Sequence, residues 1–255
     1  MTSRDLGGLW PPGSPPGTLA HGTVVVMPQG PQPLTISQVN KAGKLLRHHI
    51  CGEQVLDAAQ YDAALDVVRA FRAAHSRPLV TANNTLRGMV RRAGCRVEVS
   101  QRLKRMNTIL DKLANRESTL ALSRMQDIGG VRAVLPTVQT IRVIQGRLEG
   151  TGRVRNVSDY IVSPRSSGYR GVHVIVEYAG RAIEVQLRTQ AMHQWALAVE
   201  GVSTSGTNYK QDGSTHVHRI LAALSDMMNA EAEGTTLPLD QLSTMFQLFG
   251  EKPGE

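Results

Sequence analysis

The chain has 255 residues, 41% of them hydrophobic and 4% aromatic, with a formal charge of +8. That length and apolar content suffice for one core-forming domain with extensions, and the positive balance favours anionic partners such as nucleotides, RNA or an acidic protein. No run of eighteen apolar residues is present, so no transmembrane helix and no membrane partner are expected; Cys51 and Cys95 match no zinc spacing and read as free thiols of a reducing cytosol, and a cytoplasmic location is expected.

Residues 1–33 hold seven of the twelve prolines. Such a segment cannot bury much apolar surface and is predicted disordered, with one apolar patch at residues 23–27 able to pair as a strand. A helical region is expected over 34–95. Ile36, Val39, Leu45 and Leu46 fit one helical face, which Thr35 or Ser37 can cap. A second helix is predicted over Gln60–Ala74, from Tyr61, Leu65, Val68 and Phe71. Pro78 is expected to end that segment, and a third helix to cover about Asn84–Arg92.

From 96 to 202 the texture changes. The stretch Arg102–Leu113 reads as a strand end running into a helix, Val131–Leu135 as a buried strand, and Val138–Leu148 as a helix packed on it. Val172–Tyr178 and Ala182–Thr189 flank a short Ala-Gly-Arg hairpin connection, and Ala191–Val199 returns to helix. Residues 203–255 read as a loop and C-terminal helices, with Ile220, Leu221, Leu224, Met227 and Met228 on one side of the first, followed by Leu242, Met245, Phe246 and Leu248. The order of elements predicts an α+β fold, a mixed β-sheet flanked by helices, with helical N- and C-terminal extensions.

Side chains alternate faces along a strand, so Glu184, Gln186 and Arg188 share one face while Val185 and Leu187 point into the core. On the partner strand His173 lies opposite in sense to Val172 and Val174. A polar row of this kind is either a solvated sheet face or a working surface. Asp127 precedes the buried strand in Asp127-Ile-Gly-Gly-Val-Arg132, where glycines let the backbone approach a ligand. Asp127 and Glu184 can share one magnesium ion, which takes one or two carboxylates and leaves room for water and phosphate oxygens. Arg102, Lys104 and Lys112, with Arg105 near them, surround a helix start, where phosphates are favoured; a solvated helix face has the same pattern. Tyr169, after a glycine in a polar loop between Arg165 and Arg170, can stack on a nucleobase or pack on its own hairpin.

In this order and spacing the sequence resembles the synthetase domain of the RelA/SpoT alarmone synthetases, most closely the stand-alone small alarmone synthetases. The resemblance covers roughly Arg77–Glu200. It rests on Arg102-x-Lys104 with Lys112, Asp127-Ile-Gly-Gly-Val-Arg132, Asp159-Tyr160-Ile, Gly168-Tyr169-Arg-x-x-His173, and Glu184-x-Gln186-x-Arg188-Thr189 followed by Met192-His-x-Trp195-Ala. It implies a nucleotidyltransferase-like domain that moves pyrophosphate from ATP to the 3′-hydroxyl of GTP or GDP and leaves AMP. By resemblance Arg102, Lys104 and Lys112 bind the ATP phosphates and Asp127 holds Mg2+. Glu184 holds the metal or acts as general base. Tyr169 stacks on the acceptor guanine, with Tyr160, Arg165, His173, Gln186 and Arg188 completing the acceptor side. Arg165 takes the place of a family lysine.

Ser158 and Asn156 stand where charged residues are common in the family, and Gly171 replaces its usual serine. These departures bear on which acceptor is used. Toxic relatives that modify the 3′ end of tRNA or make an adenosine alarmone therefore stay open, as does a non-catalytic nucleotide- or RNA-binding module. The His-Asp dipeptide of the family's hydrolase is absent, so synthesis without hydrolysis is expected. The C-terminal helices are expected to complete the core, dock an antitoxin, or join copies into a homo-oligomer.

Overall fold

A computed structural model describes residues 34–117, 119–203, 209, 210, 213, 215–238, 241–243 and 247. The expectations for residues 1–33 and for Met245, Phe246 and Leu248 lie outside the described residues. No helix among the described residues is long and apolar enough to cross a membrane.

Two helices open the described chain, α1 (Ile36–Ile50) and α2 (Ala58–Ala73), each started by a capping box. Thr35 and Gln38 form the first and Asp57 and Gln60 the second; each pair satisfies two backbone donors that a helix start leaves unpaired. Val39, Leu46, Val68 and Phe71 pack with Ile109, Leu113, Leu122 and Ile128 into one apolar cluster. Ile36, expected on the buried face, is instead exposed, because the stripe runs through Val39, Ala42, Gly43 and Leu46.

The third helix, α3 (Ser76–Arg92), starts earlier than expected. Pro78 does not end the preceding helix, which has already stopped at Ala73. It sits in the first turn of α3, where no intrahelical N–H donor is required of it.

Five strands form one sheet: β1 (Val99–Leu103), β2 (Gly129–Leu135), β3 (Val154–Asp159), β4 (Val172–Tyr178) and β5 (Arg181–Thr189). Their spatial order is β1-β2-β5-β4-β3. Only β2 and β5 run parallel; the other neighbours are antiparallel, which makes the sheet mixed as expected. The edge strand β3 was not foreseen, since its Val-Arg-Asn-Val-Ser-Asp offers few apolar residues and its register shifts between Val154 and Asn156. The β4–β5 turn is Ala179-Gly180, both at positive φ (48° and 70°), matching the twist of a tight hairpin.

Helix α3 and α5 (Val138–Glu149) cover one face of the sheet. Leu86, Ile141, Ile144 and Leu148 meet Ala133, Val174, Val185 and Leu187 there. Burying each such leucine, isoleucine or valine side chain contributes about 1.5–3 kcal/mol. Two last helices, α6 (Gln190–Val202) and α7 (His216–Glu233), pack on each other, and Trp195 Nε1 donates to Leu221 O at 2.8 Å across their contact. Among the uses foreseen for the C-terminal helices, α7 serves the core: Leu221 and Met228 of the expected face pack on the Tyr169–Trp195 cluster and Ile220 on Ala223, but the face does not hold throughout. Met227 is exposed, while Ala223, Ser225 and Asn229 are buried.

Candidate active site

The face of the sheet opposite α3 and α5 is polar, and the register puts its side chains in rows. Arg102 lies beside Gly130, and Gly130 beside Glu184. In the next row Arg132, Gln186, His173 and Ser158 are neighbours across four strands. The two glycines of Asp127-Ile-Gly-Gly have different reasons. A Cβ on Gly129 would lie 2.7 Å from Ile183 Cδ1, so that glycine serves packing; at Gly130 the nearest atom is Glu184 O at 3.9 Å, and the polar face stays open.

Five side chains close a ring of hydrogen bonds. Glu184 Oε1 is 2.9 Å from His173 Nδ1, and His173 Nε2 is 2.5 Å from the Tyr169 hydroxyl. Arg188 Nη2 donates to that hydroxyl at 2.7 Å and to Gln186 Oε1 at 2.9 Å, and Gln186 Nε2 donates to Glu184 Oε2 at 2.6 Å. An arginine only donates, so the Tyr169 oxygen accepts from Arg188, and His173 Nδ1–H donates to the Glu184 carboxylate. Each member holds two of the others, which ties the ring together, while the buried Arg188 Nε has no hydrogen-bond partner among the described residues. Burial disfavours the charge on Glu184. The hydrogen bond and charge of His173, the amide of Gln186 and the ammonium of Lys104 outweigh that, and the carboxyl is pulled down to about 2.

Asp127 accepts from Lys104 Nζ at 2.6 Å and lies 3.3 Å from Lys112 Nζ, which also reaches Glu117 at 3.1 Å. Burial works against the Lys112 charge, but Asp127 and Glu117 raise its pKa above the ordinary value. Lys112 starts a π-helical turn (Lys112–Arg116) that follows α4 (Met106–Asp111). Lys104 is fixed through its backbone, whose N–H reaches Ile128 O at 2.8 Å and whose carbonyl accepts from Arg72 Nε at 2.6 Å. Lys104 pairs with Asp127, and its charge also acts on Glu184. Arg102 and Arg105 are exposed.

Tyr160 sets its ring edge against Tyr169 and His173, with centroids 5.6 and 5.2 Å apart. Arg165 caps it, 4.7 Å over the ring and 2.9 Å from the hydroxyl. Tyr160, Arg165, Tyr169, His173, Gln186 and Arg188 thus come together as one group, with Glu184 between them and the Asp127 lysines. One expectation needs correcting. Tyr169 is not an open stacking face: its ring is 4% exposed, packed on Trp195 and lying under the Arg188 guanidinium at 5.0 Å. The ring gains more from apolar burial than a loop position suggests, and its hydroxyl is the part turned to the polar face. Gly171, at φ +149°, also has a local cause, since a Cβ there would press to 3.2 Å from Arg188 Cγ.

Arg132 was missed as a site residue. Its Nε is 3.4 Å from Gln186 Oε1, and burial, then Arg188 and Arg102, lower its pKa. The signal was present: Arg132 is two residues after Gly130 on β2 and so must share its face. His193 of α6 is held low by burial, Arg132 and Arg188. This end of the face is a cation cluster, offset by Glu200, which pairs with Lys210 at 2.7 Å. Such a cluster favours a polyanion. Cavities of about 600 Å³, near Phe71 and Arg181, and about 330 Å³, near Thr137 and Asn229, lie away from these residues.

No group of three or more His, Cys, Asp or Glu side chains converges among the described residues. Magnesium needs only one or two carboxylates and takes its other ligands from water and phosphate, a demand that the donor chemistry of Asp127 and Glu184 does not contradict.

Residues 101–214 match the family model described as a region found in RelA / SpoT proteins. The chain is 28% identical over 183 residues to the bifunctional (p)ppGpp synthase/hydrolase SpoT of Escherichia coli (strain K12), a match covering 68% of this chain and 25% of that protein. It is 31% identical over 127 residues to the GTP pyrophosphokinase YjbM of Bacillus subtilis (strain 168), covering 46% of this chain and 58% of that one. The chain thus spans about a quarter of the length of the SpoT relative it matches. Among solved structures, small alarmone synthetase 1 from Bacillus subtilis bound to its product pppGpp has the same fold, at TM-score 0.54 and 23% identity over 72% of this chain and 98% of that one. A GTP pyrophosphokinase family protein from Streptococcus pneumoniae matches at TM-score 0.54 and 25% identity, with coverage of 72% and 98%.

Proposed function

We propose that this chain, which carries a RelA/SpoT region, is a synthetase that transfers the β,γ-pyrophosphate of ATP to the 3′-hydroxyl of GTP or GDP, making (p)ppGpp and releasing AMP. The observation that carries this is the closed Glu184–His173–Tyr169–Arg188–Gln186 ring set beside Asp127, Lys104 and Lys112. The names of the matched GTP pyrophosphokinases, and the pppGpp bound to the Bacillus subtilis synthetase, support the choice of substrates.

Arg102, Lys104 and Lys112 bind the ATP polyphosphate, with Arg132 as an added cation on the same face. Asp127 and Glu184 hold Mg2+, which offsets the charge of the transferring phosphates. A carboxyl near 2 is fully ionised at neutral pH, and its low proton affinity suits a ligand and hydrogen-bond acceptor better than a lone general base. Glu184 therefore orients the acceptor hydroxyl by accepting its hydrogen bond; as the 3′ oxygen bonds to the β-phosphorus, the bond from that phosphorus to the AMP oxygen breaks and the hydroxyl proton passes along this hydrogen bond to solvent. His173 and Gln186 fix the carboxylate while it does so. Arg165 faces the acceptor phosphates, Arg188, buried at 3% exposure, acts through Tyr169 and Gln186, and the guanine lies along Tyr160 and the edge of the Tyr169 group. Fixed donors and cations of this kind need no reorganisation as charge moves, which is where most of the rate gain arises.

The test is label transfer from ATP carrying γ-phosphate label, with magnesium and separately GDP, GTP, ATP or bulk tRNA. Label on GDP and GTP, abolished by chelating the metal, is the expected result. Label only on tRNA or on an adenine nucleotide would replace the acceptor, and transfer to none of them would leave a binding module.

A further inference from the structure

Helix α7 begins at His216, past the end of the RelA/SpoT region at residue 214. One of its faces is nonetheless built against the loop that carries Tyr169. Leu221, Ala222, Ser225, Asp226 and Asn229 recur at helical spacing and so share that face. Ser225, 1% exposed, donates its hydroxyl to Gly168 O at 2.6 Å. Asn229 Nδ2 donates to Ser225 O at 2.7 Å and fixes that turn. Arg170 Nη2 donates to Asp226 Oδ1 at 2.8 Å. Gly168 has φ +85°, and a Cβ on it would lie 2.6 Å from Ala222 Cα, so the helix backbone sits directly on the loop.

Gly168 and Arg170 bracket Tyr169. Its hydroxyl is 2.5 Å from His173 Nε2 and 2.7 Å from Arg188 Nη2, and His173 in turn holds Glu184 at 2.9 Å. Two hydrogen bonds therefore separate the Tyr169 hydroxyl from the carboxylate. We propose that Ser225 and Asp226 are positioning residues for the acceptor side of the site, holding Gly168 and Arg170 so that Tyr169 keeps His173 and Arg188 in place. This rests on the acceptor assignment made above, and it extends the working site beyond the RelA/SpoT region.

Two readouts on the 255-residue chain test it, with Ser225→Ala, Asp226→Ala and Asp226→Asn. The first is amide hydrogen exchange: the 160–172 stretch exchanges about tenfold faster or more in the variants, while the amides of β2 and α3 keep their rates. The second is kinetic: kcat/KM for GDP falls about 10- to 100-fold while KM for ATP stays within about twofold. Arg170→Asp combined with Asp226→Arg recovers part of the loss. Asp226→Asn keeps the side-chain shape, so it decides the matter if the alanine variants fail to fold. Unchanged loop exchange, or equal losses toward ATP and GDP, overturns the proposal. If the unsubstituted chain transfers nothing, the functional assignment falls by itself, and the exchange comparison alone decides whether α7 holds the loop.

Discussion

The two faces of β5 are made from the same nine residues and have opposite physics. Ile183, Val185 and Leu187 are fully buried under α3 and α5, where the environment asks only for apolar volume. Glu184, Gln186 and Arg188 point the other way, into a network of specific hydrogen bonds with His173 and Tyr169. The first face is held by many interchangeable contacts, and the second by a few that cannot be exchanged. Damage should therefore separate in emphasis: chiefly stability lost on one side, chiefly activity on the other.

The strongest way to break that comparison is Glu184→Gln. Transfer is expected to fall about 10²- to 10⁴-fold while the variant still folds, because shape is kept and only the charge is lost. A rate near that of the unsubstituted chain, or a collapse of stability, would show that the faces are not separate. On the apolar side Ile144→Ala should cost about 2–5 kcal/mol in denaturant unfolding while the folded fraction keeps its kcat. A changed kcat at full folding would deny the division from the other direction.

Acid sensitivity sharpens it further. The folded Glu184 carboxyl lies near 2, below its ordinary 4.5. Its contribution is present above about 4.5 and is lost as pH falls through the folded value near 2. Unfolding curves should therefore show a steeper loss of stability over that window than the Glu184→Gln variant shows; identical acid profiles would contradict the charge assigned to the ring. The smallest effect is expected from Tyr169→Phe, which removes one hydroxyl from the ring. It should cost about 1–3 kcal/mol, since Arg188 and His173 lose a shared partner, and acceptor KM should rise more than ATP KM. An unchanged acceptor KM would make Tyr169 a packing residue alone.

Much of the fold was legible because local signals agreed with the final packing. Thr35 announced its helix, Val131–Leu135 its strand, and the alternation at residues 183–188 assigned both faces of β5. What escaped was decided by tertiary neighbours. Edge strand β3 is held by pairing with β4 rather than by an apolar pattern. Pro78 was read as a stop because its place in a first turn depends on where the helix begins. Site residues named in the sequence do converge, but Tyr169 was assigned an open face that Trp195 and α7 cover, and no local pattern in the Gly168–His173 stretch reveals those contacts. Arg132 could have been found by counting two residues from Gly130.

The central claim is that the polar face moves a pyrophosphoryl group rather than a single phosphoryl group. Mass analysis of the products from ATP, GDP and magnesium tests this most directly. AMP and a guanosine tetraphosphate are expected in equal amounts. ADP as the adenine product, or AMP with no change in the guanine nucleotide, would contradict it.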